Sequence, residues 1–279
     1  MRASKAVYLP ALWGAIAMLC ATPAKEMEFS FRPVTISETS KPVKALIASG
    51  EIRHGDTKRL REFLGIRGNV DTFLLSPQAG GAGTIIILDS PGGDVDEAIL
   101  LSQVMRDILA MVGSQSPMSC ASACFFLYVG AARRMTSTDR LAVHRPFFSG
   151  DATRKMSLVQ AEAAHNAGFS RAKRWMQDQL VPQTLIDRMF SLSSTQAYWL
   201  TPQDVEQLGQ RAPWYEEWLL ARCPNYISAY QRFSATFGTA ANAEASREVG
   251  VQARCEFNAT DAERTTVLLR YVKELERAR

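Results

Sequence analysis

A serine, a histidine and a pair of glycines, each beside a short apolar run, are the residues of this chain whose types and spacing could do chemistry. Ser122 stands among small residues in Ser119-Cys120-Ala121-Ser122-Ala123-Cys124. His144 closes Leu141-Ala142-Val143, immediately ahead of Arg145-Pro146, and Gly92-Gly93 follow Asp89-Ser90-Pro91. Serine is a weak nucleophile until a neighbouring base takes its proton, so Ser122 and His144 matter as a pair. A diglycine bend followed by a helix N-terminus brings backbone N–H groups close to a ligand and suits a developing negative charge. Together these are the parts of acyl transfer to a serine hydroxyl. Three local competitors exist. Cys120 or Cys124 could act as a thiol nucleophile, and Ser119 precedes the turn, where it suits a helix cap or a backbone hydrogen bond. His54, in the polar turn His54-Gly55-Asp56, reads either as a second catalytic histidine or as a solvated turn residue, and no motif supports the first.

The elements that must position these groups are legible in outline. Thr84-Ile85-Ile86-Ile87-Leu88 is a β-branched run of the kind buried on both faces of a parallel sheet. Pro91 stops it, and the acidic start of Asp94-Val95-Asp96-Glu97 suits a helix N-terminus, with Leu100, Val104, Ile108 and Leu109 recurring at helical spacing. Phe125 to Val129 continues Ser122 into a helix, and Pro146 ends the strand that delivers His144. Val43 to Ile52 and Met111 to Gln115 read as further strands, and Thr57 to Leu64 as a helix with Asp56 as its cap. Gln78 to Gly83 is a loop that lacks the Lys-Ser/Thr ending of a phosphate-binding loop. This alternation is the mark of stacked βαβ units in an α/β fold.

Ser90-Pro91-Gly92-Gly93, Ser122 leading into Phe125-Phe126-Leu127, and His144-Arg145-Pro146, in that order, resemble the Clp protease proteolytic subunit. More narrowly, the chain is similar to the periplasmic ClpP-like proteins of bacteria, over roughly Lys44 to Gly209. Ser-Pro-Gly-Gly alone is weak, since signal peptide peptidases of the same superfamily carry it; the ordered set is stronger. The resemblance implies the ClpP/crotonase-like spiral of stacked ββα units. It implies Ser122 as nucleophile, His144 as base, and the amides of Gly93 and Ala123 as oxyanion hole. It further implies that the amphipathic stretch Met156 to Leu180, which includes His165 on its surface, is a handle helix for assembly, so that a homo-oligomer is expected. Counting back from Trp199-Leu200-Thr201 and Asp204 to Gly209, the family's triad aspartate falls on Ser193. No carboxylate stands there; Asp187 is the nearest upstream acid and Asp204 the nearest downstream.

The 279 residues, 47% hydrophobic, suffice for one substantial domain and an appendage. Residues 1–24 have the layout of a secretory signal peptide: Arg2 and Lys5, then an uncharged stretch with Leu12 to Leu19, then Ala21 and Ala24. The alternative is an uncleaved membrane anchor, for which the stretch is barely long enough and contains Pro10. Cleavage removes two cations and takes the formal charge from +4 to +2. The basic residues are dispersed, so nucleic acid is not an expected partner. Export also leaves Cys120, Cys124, Cys223 and Cys255, an even count that favours disulfides. Cys223 with Cys255 would staple the C-terminal segment. Within one helix Cys120 and Cys124 would have β-carbons ~5–6 Å apart, beyond the ~3.8 Å a disulfide prefers, so a local bridge requires Cys120 to lie outside the helix. The Cys-x3-Cys pair has no further ligand nearby to complete a zinc site, and no cofactor is called for.

The expected organisation is a leader at 1–24, a peripheral segment at 25–42, the ClpP/crotonase-like domain at 43–213 and a helical extension at 214–279. In the extension, Tyr226 to Phe237 and Asp261 to Arg279 read as helices, with Gly238 to Ala245 as a small-residue linker. The leading functional reading is an exported serine peptidase acting on peptides or unfolded protein, with a membrane involved only through an uncleaved leader. A catalytically retired peptide-binding or assembly module competes, because of Ser193. A crotonase-type acyl-CoA enzyme competes on shared oxyanion architecture, with export against it.

Overall fold

The computed structural model describes residues 25–35, 42–74, 85–135, 140–147, 154–193, 195–239 and 241–279. The expected leader, the glycine loop at 78–83 and Phe148 to Asp151 lie outside the described residues. The fold is mixed α/β. β1 (Glu28–Val34), β2 (Val43–Ser49), β3 (Ile85–Asp89), β4 (Met111–Gly113) and β6 (Arg133–Arg134) form one sheet in the order β1-β2-β3-β4-β6. β1 is antiparallel to β2, and every other pair is parallel. The segment expected to be peripheral thus supplies the edge strand, with Phe29 and Phe31 packed on Phe63.

β5 (Cys120–Ala121), β7 (Leu141–Val143) and β8 (Tyr198–Trp199) form a second, smaller sheet in that order. α1 (Asp56–Gly65), α2 (Arg67–Leu74), α3 (Val95–Asp107) and α4 (Cys124–Gly130) cover the first sheet and join it to the second. Ile86, Ile87 and Leu88 are fully buried, as their unbroken apolar run requires. Every residue of α4 is buried, so this helix is apolar all round and central. Asp94 caps α3 by accepting the Glu97 N–H at 2.9 Å. Asp56 does not cap α1 as expected: Gly55 holds the cap position, and the buried Asp56 carboxylate accepts the Arg53 N–H at 2.7 Å and pairs with Arg59.

Beyond the sheets run α5 (Leu158–Asp178), α6 (Gln183–Ser191), α7 (Pro202–Leu208), α8 (Pro213–Arg222), α9 (Tyr226–Thr236) and α10 (Asn242–Arg277). α10 is 36 residues long and absorbs the second half of the expected linker. It lies against α1 so closely that a β-carbon on Gly65 would stand 2.8 Å from the Tyr271 carbonyl oxygen. The Cys223–Cys255 disulfide ties α8 to α10. Beneath it the buried Glu256 carboxylate accepts the Tyr215 hydroxyl at 2.8 Å and the Tyr226 hydroxyl at 2.7 Å, with Arg133 Nε at 3.4 Å. The helical extension is therefore joined to β6 of the main sheet. No helix among the described residues is long and apolar enough to cross a membrane.

Burial pushes the Glu256 carboxyl up, but the Arg133 charge and the tyrosine hydroxyls outweigh it and hold it below its ordinary value of 4.5. A lowered folded-state value stabilises the fold above the unfolded value and loses that stabilisation as pH falls through the folded one. Glu256→Ala removes the buried carboxylate that Tyr215, Tyr226 and Arg133 share and should cost about 3 kcal/mol, read from chemical denaturation. The parent should lose stability on acidification below about pH 4.5, and the variant should lose less over the same range.

Candidate active site

The diglycine turn and the serine are built as one unit. Ser90 N–H donates to the Ser119 carbonyl at 2.8 Å and Ala121 N–H to the Ser90 carbonyl at 2.9 Å, so the end of β3 is laced to β5. The buried Ser90 hydroxyl accepts the Gly92 N–H at 3.1 Å and shapes the bend. Gly92 and Gly93 have φ of 103° and 142°, which side chains disfavour. A β-carbon on Gly92 would lie 2.5 Å from Cβ of Ser122, and one on Gly93 would lie 2.1 Å from the Ile52 carbonyl oxygen. Both positions therefore need glycine for space as well as for torsion.

Gly93 is bridged in parallel to Ile52, which donates its own N–H to the Gly92 carbonyl at 2.8 Å and accepts the Asp94 N–H at 2.9 Å. In such a pairing the bonds go to the residues on either side, and the N–H of Gly93 itself points away from Ile52. Among the described residues neither the Gly93 nor the Ala123 amide donates a hydrogen bond. The Ala123 nitrogen lies 2.8 Å from the β-carbon position of Gly92, so the two open amides flank the same bend.

Ser122 has φ 58°, in the left-handed region, at the junction between β5 and α4. Its N–H donates to the Ala142 carbonyl at 3.0 Å, and its carbonyl accepts the Phe125 N–H at 3.0 Å. The first bond reaches β7, which ends at Val143 and delivers His144. Ser122, His144, Gly92 and Gly93 all line one cleft of about 570 Å³. Its walls include Pro146 and Phe147 after the histidine, Val95 and Asp96 on α3, and Gly168, Phe169, Arg171 and Ala172 on α5. Arg171 pairs with Asp96 at 2.8 Å and joins α5 to α3 across the cleft.

His144 Nδ1 lies 2.9 Å from the Arg145 carbonyl oxygen. A carbonyl only accepts, so Nδ1 carries the proton and Nε2 keeps a lone pair in the neutral ring. No hydrogen bond joins Ser122 to His144 among the described residues; apo sites of this kind tighten when substrate arrives. The suggested third members have other hydrogen-bond partners. Asp187, on α6, is exposed and accepts from Gln183 at 2.7 Å, and the exposed Ser193 bonds Thr195 at 3.1 Å. The Asp204 carboxylate is taken by Thr201 and by the Tyr198 hydroxyl at 2.7 Å. The imidazole is thus oriented by backbone, a group that no residue type announces.

The competing side chains have contacts of their own. Cys120 and Cys124 are buried and bonded to each other, with Cys120 in β5 outside the helix as a local bridge requires. Ser119 gives its N–H to the Asp89 carboxylate at 3.3 Å and its carbonyl to Ser90. His54 borders the cleft, yet its side chain is 98% exposed, with Nδ1 3.6 Å from Glu97. His165 stacks on Phe169, ring centroids 4.0 Å apart, on α5. No cluster of three or more metal-ligating side chains occurs among the described residues. Sequence reasoning missed Phe169 and the Arg171–Asp96 pair, which only the packing of α5 beside α3 brings to the cleft; Phe147 borders it, as the position of its loop directly after His144 leads one to expect.

No family model matches the chain, and no curated protein matches it. Among solved structures it is similar to a mutant of the membrane-bound stomatin-specific protease 1510-N, at 18% identity over 62% of this chain and 80% of that one, with a TM-score of 0.39. It is also similar to Pseudomonas aeruginosa PA4980, at 13% identity over 84% of this chain and 91% of that one, with a TM-score of 0.33. At scores this low neither likeness adds to what the geometry supports.

Gly92→Ala should displace Ser122 and reduce its reaction with a fluorophosphonate probe by about 10²-fold, the usual cost of misplacing a reacting group by an ångström. Labelling rates of parent and variant check this.

Proposed function

We propose that the chain is an exported serine peptidase of the ClpP-like kind. Substrate carbonyl carbon meets Ser122 Oγ as His144 Nε2 takes the hydroxyl proton. The oxyanion is held by the Gly93 and Ala123 amides, and the imidazolium returns its proton to the leaving amine. Water then cleaves the acyl-serine by the same path. The observation that carries this reading is one cleft lined by Ser122, His144 and Gly93, with Nδ1 fixed so that Nε2 is the basic atom. A neutral carbonyl stabilises an imidazolium less than a carboxylate does, so turnover should be slow; removing the orienting aspartate from a full triad costs ~10⁴.

Two disulfides support an oxidising compartment. The two strand layers support the spiral arrangement, and the exposed Leu158 and Val159 at the start of α5 support self-association there. Peptides or unfolded segments fit a cleft in which Arg171 is paired with Asp96 and Arg53 with Glu51.

The retired binding module is favoured by the lack of a carboxylate at Nδ1, and one experiment separates the two. In the peptidase, a fluorophosphonate probe labels the parent at Ser122 and not Ser122→Ala, and His144→Ala lowers peptide hydrolysis by about 10²–10⁴-fold. A parent without hydrolysis or labelling leaves the binding module.

A further inference from the structure

Ser122 is held in a conformation that a side-chain-bearing residue does not keep by itself. Among the described residues the other two of this kind, Leu109 and Leu180, come just after the ends of α3 and α5, where a left-handed residue is common. Ser122 instead precedes a helix. Strained torsions of this kind persist only where the surroundings over-determine them.

The surroundings here include a covalent one. Cys120 and Cys124 are disulfide-bonded, with Cα atoms 5.2 Å apart, and Ser122 is the middle residue of the loop they close. The two ends belong to different bodies. Cys120 is in β5 and donates its N–H to the Arg140 carbonyl at 2.8 Å, whereas Cys124 opens the fully buried α4. Besides the bridge, the sheet and the helix are joined here by the peptide chain of Ser122, by its N–H on the Ala142 carbonyl and by apolar packing, none of which fixes the separation of the two ends covalently across the turn.

A bridge over four residues restricts the unfolded chain about half as much as the one over 32 residues between Cys223 and Cys255, so general stabilisation is the lesser part of what it can supply. Both sulfurs are buried, Cys120 and Cys124 each at 0% exposure, which makes the bond a permanent part of the site and not an exchangeable thiol pair.

We propose that Cys120 and Cys124 are positioning residues for the nucleophile: their disulfide fixes the gap between β5 and α4 and thereby holds Ser122 in its left-handed turn against Gly92. This rests on the peptidase reading for its catalytic consequence, though not for its conformational one.

The test compares C120A/C124A with C223A/C255A and the parent, each checked for folding by circular dichroism and melting. The C120A/C124A variant should lose at least about tenfold in fluorophosphonate labelling and in kcat with KM unchanged. It should also lose hydrogen-exchange protection at the Ser122 amide while the remainder of α4 keeps its own. C223A/C255A should melt earlier and label within about twofold of the parent. Unchanged exchange at Ser122, or equal losses of labelling in both variants, would overturn the proposal. A parent that does not label would sink the peptidase reading alone, since exchange at Ser122 still decides the role of the bridge. Failure to fold by both C120A/C124A and the better-filled C120V/C124A would also overturn it, by making the bridge a condition of the whole fold.

Discussion

The contact between the diglycine turn and the serine turn governs the rest of the structure. Two backbones approach so closely that Gly92 has no room for a β-carbon beside that of Ser122. They remain there because β3 and β5 exchange hydrogen bonds through Ser90, Ser119 and Ala121. The serine turn lies in a torsion that costs energy, the diglycine turn in torsions that glycine takes freely, and both end at helices whose start they define. The adjacent β7 is tied to the same point by the Ser122 N–H, which fixes where the chain emerges at His144. The geometry of the candidate site is thus inherited from sheet register more than from side-chain packing.

Much of this was legible in the residues. An apolar β-branched run, a proline, two glycines and an acidic helix start can hardly be anything but a strand, bend and helix, and β3 and α3 are where that pattern puts them. The condition for a local Cys120–Cys124 bridge followed from helix geometry alone. What could not be read is instructive. The partner of His144 is a main-chain carbonyl, whereas the residue count pointed to Ser193 and the nearest carboxylates were Asp187 and Asp204, each of the three with other hydrogen-bond partners. Asp56 had the right position for a cap but is drawn into a buried pairing with Arg59. The edge strand β1 was overlooked although Glu28-Phe29-Ser30-Phe31-Arg32 alternates; it is short, charged and interrupted by Pro33, which edges tolerate.

The helical extension is less detached than its composition suggested. Its anchor is the buried group of Glu256, Tyr215 and Tyr226 with Arg133 of β6, and α10 returns along α1 to the wall of the main domain. Arg264, buried on α10, adds a hydrogen bond from Nε to the Ile108 carbonyl at 3.2 Å, at the end of α3. The helix that begins beside the diglycine turn therefore ends against the extension, and the Cys223–Cys255 disulfide keeps the extension folded on itself.

The most direct measurement is a crystal structure of the protein with a peptidyl phosphonate bonded to Ser122. If the four groups act together, the phosphoryl oxygen lies within ~2.7–3.1 Å of both the Gly93 and Ala123 nitrogens, and His144 Nε2 faces the Ser122 oxygen. A phosphoryl oxygen turned to solvent, with either amide left without an acceptor, would contradict the assignment of this cleft as a peptidase site.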